Sequence, residues 1–214
     1  MKQKLQNIGI GILCTIFFLC LGIFTAIQFR PLYYFDIDYL NIVEQSGYSR
    51  EVILENYNTL IDYCSPFYQG NLIFPSLTIT DAATLHFQRV KVIFDSSFYI
   101  GIISLILLLI LLYQKHRKRD FKCYKTISIT MIILPIFTAI GCAINWDGLF
   151  VAFHQIFFRG DYWLFDWNKD QIIRILPDTF FLHCALIIIA VILFGSGFFF
   201  LLWQRKHKKS NCQV

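Results

Sequence analysis

Asn145-Trp146-Asp147-Gly148-Leu149-Phe150-Val151-Ala152-Phe153-His154-Gln155-Ile156-Phe157-Phe158-Arg159-Gly160-Asp161-Tyr162-Trp163-Leu164-Phe165-Asp166-Trp167 joins two long apolar runs. Lying between two candidate membrane spans, it belongs at one face of a bilayer. Its Trp, Tyr and Phe side chains suit the membrane–water boundary, where an apolar ring and a polar edge are both satisfied. Into that belt and its continuation to Phe181 the chain sets an imidazole, His154, and two guanidinium groups, Arg159 and Arg174.

Working outward, four apolar runs approach the roughly 20 residues needed to cross a bilayer: 8–28, 98–113, 126–145 and 179–203. The second is short, so its helix is expected to begin earlier, above the hydrocarbon. Of 214 residues, 57% are hydrophobic and 15% charged, the balance of a membrane protein. The first run is too long for the core of a cleaved signal and is followed by no small-residue cleavage pattern. With four spans, both ends and the loop 114–125 share one side. That side holds twelve Lys and Arg against Asp120 alone; the other holds seven against thirteen Asp and Glu. The positive-inside rule therefore places both termini in the cytoplasm of a multi-pass protein. The connections 29–97 and 146–178 then face outward. The basic loop and the tail 204–214 read as topology determinants lying against anionic lipid rather than as a nucleic-acid patch.

In the first outer segment, Pro31 ends the first span, and Ser49 caps a helix Arg50–Cys64 with Glu51 in its first turn. Ile53, Tyr57, Leu60, Ile61 and Cys64 share one face, leaving Glu55, Asn56 and Asp62 toward water. Leu72–Phe74 and Leu77–Thr80 read as short strands, with Tyr39–Val43 or Tyr33–Asp38 able to pair with them. The expected fold class is an α-helical membrane protein: four transmembrane helices with a small mixed α/β extracytoplasmic cap. Asp81 is expected to cap a helix that continues into the second span and carries His86, Val90, Ile93, Phe94 and Ser97 as one stripe, with Lys91 and Asp95 paired on another. His86 then lies roughly 16 Å of helical rise above Ser97. Pro135 frees a backbone carbonyl in the third span and is expected to kink its helix.

In the second outer segment, Asp147 is expected to cap an interfacial helix Gly148–Arg159 that shows Phe150, Phe153, His154 and Phe157 on one face, with Gly160 just past its end. Asn168 and Gln171 resemble a capping box for a second short helix that Pro177 stops. His183, one turn inside the fourth span, reads as a structural group with a polar partner.

Two histidines from different outer segments, His86 and His154, are thus expected at one depth in an aromatic enclosure, which suits proton transfer. No third ligand or His-rich spacing supports a metal site. No paired outer cysteines suggest a disulfide, and no Gly-x-Ser-x-Gly elbow or intramembrane aspartate pair suggests a protease. A reaction needing only proton shuttling, positioning and charge stabilisation remains.

His154-Gln155-Ile156-Phe157-Phe158, Asp161-Tyr162-Trp163-Leu164-Phe165, Asp170 through Ile172-Ile173-Arg174-Ile175-Leu176-Pro177, and Phe180-Phe181 resemble the signature of bacterial lipoprotein intramolecular transacylases. Glu55-Asn56-Tyr57, Tyr63, and His86 with Val90-Lys91 fit the same pattern. Arg89 and Ala82 stand where that pattern carries acidic residues. The resemblance implies transfer of the sn-2 acyl chain of a diacylglyceryl-modified lipoprotein onto its N-terminal cysteine amine, giving the lyso form. It implies His86 and His154 as catalytic groups, and needs no metal and no cofactor. Tyr162, Trp163, Phe157 and Phe158 would line the chamber, Arg174 would steady developing charge, and Tyr57 would contact substrate. The expected protein is a monomer of the bacterial cytoplasmic membrane whose partners are such lipoproteins and membrane lipid. Two other classes stay open: a non-catalytic immunity or accessory protein, and a different histidine-dependent acyltransferase or lipase.

Overall fold

A computed structural model describes residues 1–211, so the last three residues of the basic tail, Cys212 among them, lie outside the described residues. Four described helices are long and apolar enough to cross a membrane: α1 (Lys2–Gln28), α5 (Asp81–Arg117), α6 (Lys122–Ile144) and α8 (Asp178–Asn211). Between them come α2 (Arg30–Tyr39), α3 (Ile42–Ser46), α4 (Arg50–Tyr63), α7 (Trp146–Phe157) and a 3₁₀ turn Gln171–Ile175. The chain forms two compact units. One comprises Met1–Ile23, Ser97–Gly141 and the residues from Leu186 on, the other Phe24–Ser96 and Cys142–Ala185.

The first unit is four packed helices. Ile10, Cys14, Leu108, Cys123, Ile127, Met131, Ile192 and Phe199 form its interior, while Ile103, Ile106, Leu109, Ile133 and Phe194 stay exposed. Apolar side chains on both inner and outer faces are what a helix in lipid requires. Two buried hydroxyls join α6 to α8: Ser128 and Ser196 lie 3.1 Å apart, and Ser196 also donates to the Ser128 carbonyl at 3.0 Å. Such pairs hold helices together where water cannot compete. Gly22 lets α1 approach α8 closely, since a Cβ there would stand 3.1 Å from the Ile188 backbone. Asp120, in the α5–α6 turn, accepts from Gln3 and Lys115 at 3.0 Å each.

The second unit is also wholly helical and irregular among the described residues, which corrects the expected mixed α/β cap. Tyr33–Asp38 lies within α2, and Leu40 and Asn41 form the bend between α2 and α3. Residues 72–80 form no strand and pair with none among the described residues. Their backbone groups are met instead by side chains and one backbone contact from distant segments. Leu77 donates to Asn56 Oδ1 at 3.3 Å, Thr78 to Gln171 Oε1 at 3.0 Å, and Thr80 to Asp170 Oδ1 at 2.7 Å. Gln171 donates its own amide to the Thr78 carbonyl at 2.9 Å. A buried backbone must find partners, but nothing requires them to be a ladder.

That arrangement also corrects the placement of Asn56 toward water. It is fully buried, and its amide donates at 2.7 Å to both the Val52 carbonyl and Ser76 Oγ. The expected face of α4 forms otherwise: Ser49 caps it by accepting from Val52, and Ile53, Tyr57, Leu60, Ile61 and Cys64 are buried. Tyr57 stacks on Tyr33 at 3.6 Å, and the Tyr33 hydroxyl donates to the Ile175 carbonyl at 2.6 Å. Three helix starts differ from expectation. The cap of α5 is Thr80, whose hydroxyl accepts from Ala83, not Asp81. The cap of α7 is Asn145, accepting from Gly148, not Asp147, and the helix ends at Phe157, short of Arg159. Asp170, not Asn168, holds the N-cap position of the 3₁₀ turn.

Candidate active site

His86 lies near the start of α5, two turns beyond the Thr80 cap, and His154 lies in the last turn of α7. Folding of the second unit brings them together: the rings stand 5.7 Å apart, centroid to centroid, inclined by 21°. Both are buried, with 6% and 9% of their surface exposed.

Aromatic rings close around them. Phe158 packs against both, 4.6 Å from His86 and 5.5 Å from His154. Trp163 stacks on His154 at 4.9 Å, and Phe165 meets His86 edge-on at 5.2 Å. Tyr162 lies 6.4 Å from His86. The turn carrying these residues is possible because Gly160 adopts φ 95°, a left-handed conformation that is strained for a residue with a side chain but not for glycine. Leu164 then donates back to the Asp161 carbonyl at 3.0 Å.

The two imidazoles differ in their hydrogen bonding. His154 Nδ1 lies 2.7 Å from the Phe150 carbonyl oxygen, one turn back. A carbonyl can only accept, so Nδ1 carries the proton and Nε2 of the neutral ring keeps its lone pair. Burial pushes the His154 pKa below the ordinary imidazole value, an effect that the Phe150 hydrogen bond and the Asp178 charge oppose without cancelling. His86 Nδ1 is buried with no hydrogen-bond partner among the described residues. A buried polar atom without a partner is exceptional in a folded protein.

Of the other residues singled out by sequence, Trp163, Tyr162 and Phe158 join the two histidines. Phe157 does not: it is half exposed and packs on Phe153 at 4.7 Å. Arg174 donates from Nε to the Trp167 carbonyl at 3.0 Å and lies over the Trp167 ring. Tyr57 sits in the Tyr33–Phe180 core. Phe150, expected on one face of α7 with His154, packs on it at 4.3 Å; neither it nor Phe165, part of the quoted signature, was singled out as a chamber residue. His183 has its expected partner, which sequence did not identify: Nδ1 lies 2.9 Å from both oxygens of fully buried Asp36. No cluster of metal-ligating side chains occurs among the described residues.

The family model described as lipoprotein intramolecular transacylase Lit matches residues 8–181. No curated protein matches the chain. Among solved structures, the membrane-integral lipoprotein intramolecular transacylase Lit from Bacillus cereus is 33% identical with a TM-score of 0.94, covering 99% of each chain. Two structures of that protein with one histidine replaced, by arginine and by alanine, match with TM-scores of 0.87 and 0.88 at 33% and 32% identity. They cover 100% and 99% of this chain and 96% of theirs. The matched length and the identity over nearly the whole chain lead to one conclusion: this chain belongs to the lipoprotein intramolecular transacylase family.

Proposed function

We propose that the chain transfers the sn-2 acyl group of a diacylglyceryl lipoprotein onto the α-amine of the same molecule's N-terminal cysteine, with His154 as general base. The observation that carries this reading is the His154–Phe150 hydrogen bond, which leaves Nε2 as the unprotonated nitrogen beside a second buried imidazole.

The substrate amine gives a proton to His154 Nε2 as its nitrogen attacks the sn-2 ester carbon. A C–N bond forms and the oxygen of that carbonyl gains charge. The acyl C–O bond then breaks, and the proton passes to the departing glyceryl oxygen. His86, with its open ring nitrogen, holds the oxyanion or that oxygen. Ester-to-amide exchange is downhill and needs no cofactor. The enzyme's task is to bring two ends of one molecule together, and a confined chamber does so by raising their effective concentration. Trp163, Tyr162, Phe158 and Phe165 exclude the water that would otherwise take the acyl group. Arg174 is held by Trp167 and acts, in this scheme, on the rim of the site. The charge count supports cytoplasmic termini and a site on the extracytoplasmic side of the bacterial membrane, with lipoprotein and lipid as partners.

The test is intact-mass and fragment spectrometry of a diacylglyceryl lipopeptide incubated with the protein, beside His86→Ala and His154→Ala. Unchanged mass with one acyl chain moved to nitrogen, lost in both variants, supports the proposal. Loss of a fatty acid from the substrate would identify a lipase instead.

A further inference from the structure

Asp170 is a buried carboxylate with 3% of its surface exposed, and no cation pairs with it among the described residues. A buried carboxylate costs free energy unless its oxygens are satisfied. Here each oxygen accepts one backbone amide, and the two amides come from segments far apart in sequence. Oδ1 accepts from Thr80 at 2.7 Å and Oδ2 from Asp166 at 2.9 Å. The first is at the short end and the second at the ordinary length for an amide donating to oxygen.

Each donor borders a segment of the site. Thr80 caps α5, through its hydroxyl to Ala83, six residues before His86. Asp166 ends the turn that carries Tyr162, Trp163 and Phe165. The Asp170 amide returns a bond to the Asp166 carbonyl at 2.7 Å, so residues 166–170 close on themselves. One side chain therefore ties the foot of the His86 helix to the end of the aromatic segment over both imidazoles. Beside it, the two bonds between Gln171 and Thr78 brace the same junction.

We propose that Asp170 is a positioning residue for acyl transfer: it fixes the Tyr162–Phe165 segment over His86 and His154 so that the amine, and not water, reaches the ester. This inference rests on the proposed transfer reaction. It also distinguishes Asp170 from ordinary core residues, since the consequence of loosening it is a change in which nucleophile takes the acyl chain.

The experiment uses full-length protein in lipid bicelles with a diacylglyceryl lipopeptide, comparing wild type with Asp170→Asn, Asp170→Ala and Asp170→Glu. N-acylated product and free fatty acid are quantified together, so their ratio is read only from folded, active molecules. Asparagine keeps the shape but offers one acceptor where two amides need two. Transfer is expected to fall on the order of tenfold to a hundredfold in the Asn and Ala variants, with the share of free fatty acid rising. Glutamate, which keeps both acceptors on a longer stem, is expected to restore part of the transfer. The inference is overturned if Asp170→Asn transfers at the wild-type rate and ratio. It is equally overturned if all three variants lose activity at an unchanged ratio, which is the mark of a stabilising role only. If wild type moves no acyl chain, the transfer reading fails first and this inference falls with it.

Discussion

The imidazole of His154 donates from Nδ1 to the carbonyl oxygen of Phe150 at 2.7 Å, one turn back along α7. In a helix a carbonyl ordinarily accepts the amide four residues on, and its second lone pair remains available to a side chain. The result is a ring held in one tautomer, beside a second imidazole 5.7 Å away. The same helix segment thus supplies both the proposed base and the group that orients it.

This tautomer sets the pH dependence of the chemical step. In the proposed transfer His154 works with Nε2 unprotonated, and its pKa lies below the ordinary 6.5 because burial disfavours the charged ring. The single-turnover transfer rate is expected to rise through an apparent pKa below 6.5 and to have levelled on that limb by neutrality. Stability carries the same sign. The unfolded ring binds its proton at higher pH than the folded one, so this ring's contribution to stability is fully present above about 6.5 and is lost as pH falls below it. The substrate's α-ammonium ordinarily titrates at about 7.7–8.0, so the rate is divided by the fraction of free amine; a corrected rate still climbing well above pH 6.5 would contradict the assignment.

Trp163 stacks on His154 at 4.9 Å. Replacing it with Ala removes a contact of about 1 kcal/mol beyond its area, and transfer is expected to fall roughly fivefold or more. Trp163→Phe is expected to recover much of this, because a ring remains. Initial rates on one lipopeptide decide it.

Phe157, half exposed and turned to Phe153, touches neither histidine. Phe157→Ala is expected to change kcat less than about twofold, in line with the small effect of surface substitutions. A loss approaching that of His154→Ala would mean that substrate reaches this face of α7.

Asp36 is fully buried and bonded through both oxygens to His183. His183→Ala leaves the carboxylate without this partner and is expected to cost about 3 kcal/mol. Thermal unfolding in detergent should show a lower midpoint, and adding Asp36→Asn should recover part of it. Additive losses in the double variant would show that the two residues are not coupled.

Asn56 joins α4 to the segment after it through Val52, Ser76 and Leu77. Asn56→Ala strands several buried groups, at a cost of about 1–3 kcal/mol each before relaxation. A midpoint within a degree of wild type would refute this account of the unit's interior.

What could be read from the chain alone was local or additive. The four spans come from hydropathy summed over about 20 residues, and α4 from spacing and its Ser49 cap. The Lys91–Asp95 pair, 3.3 Å apart, needed only one turn of helix. The residue types of the site were legible as well, from the resemblance of 154–181 to a known signature. The partners of an irregular backbone were not. Residues 72–80 have the composition of strands, but their amides are met by Asn56, Asp170 and Gln171, the last two some ninety positions along the chain. No local rule predicts those contacts, and the same covering segment buries an asparagine that periodicity placed in water. The approach of His86 to His154 across 68 positions, and the choice of Trp163, Tyr162 and Phe158 over Phe157 and Arg174 as their neighbours, were likewise decided only when the segments packed. Side-chain direction depends on which face of α7 and which turn after Gly160 the core selects. That selection is a property of the packed unit, not of any window of its sequence.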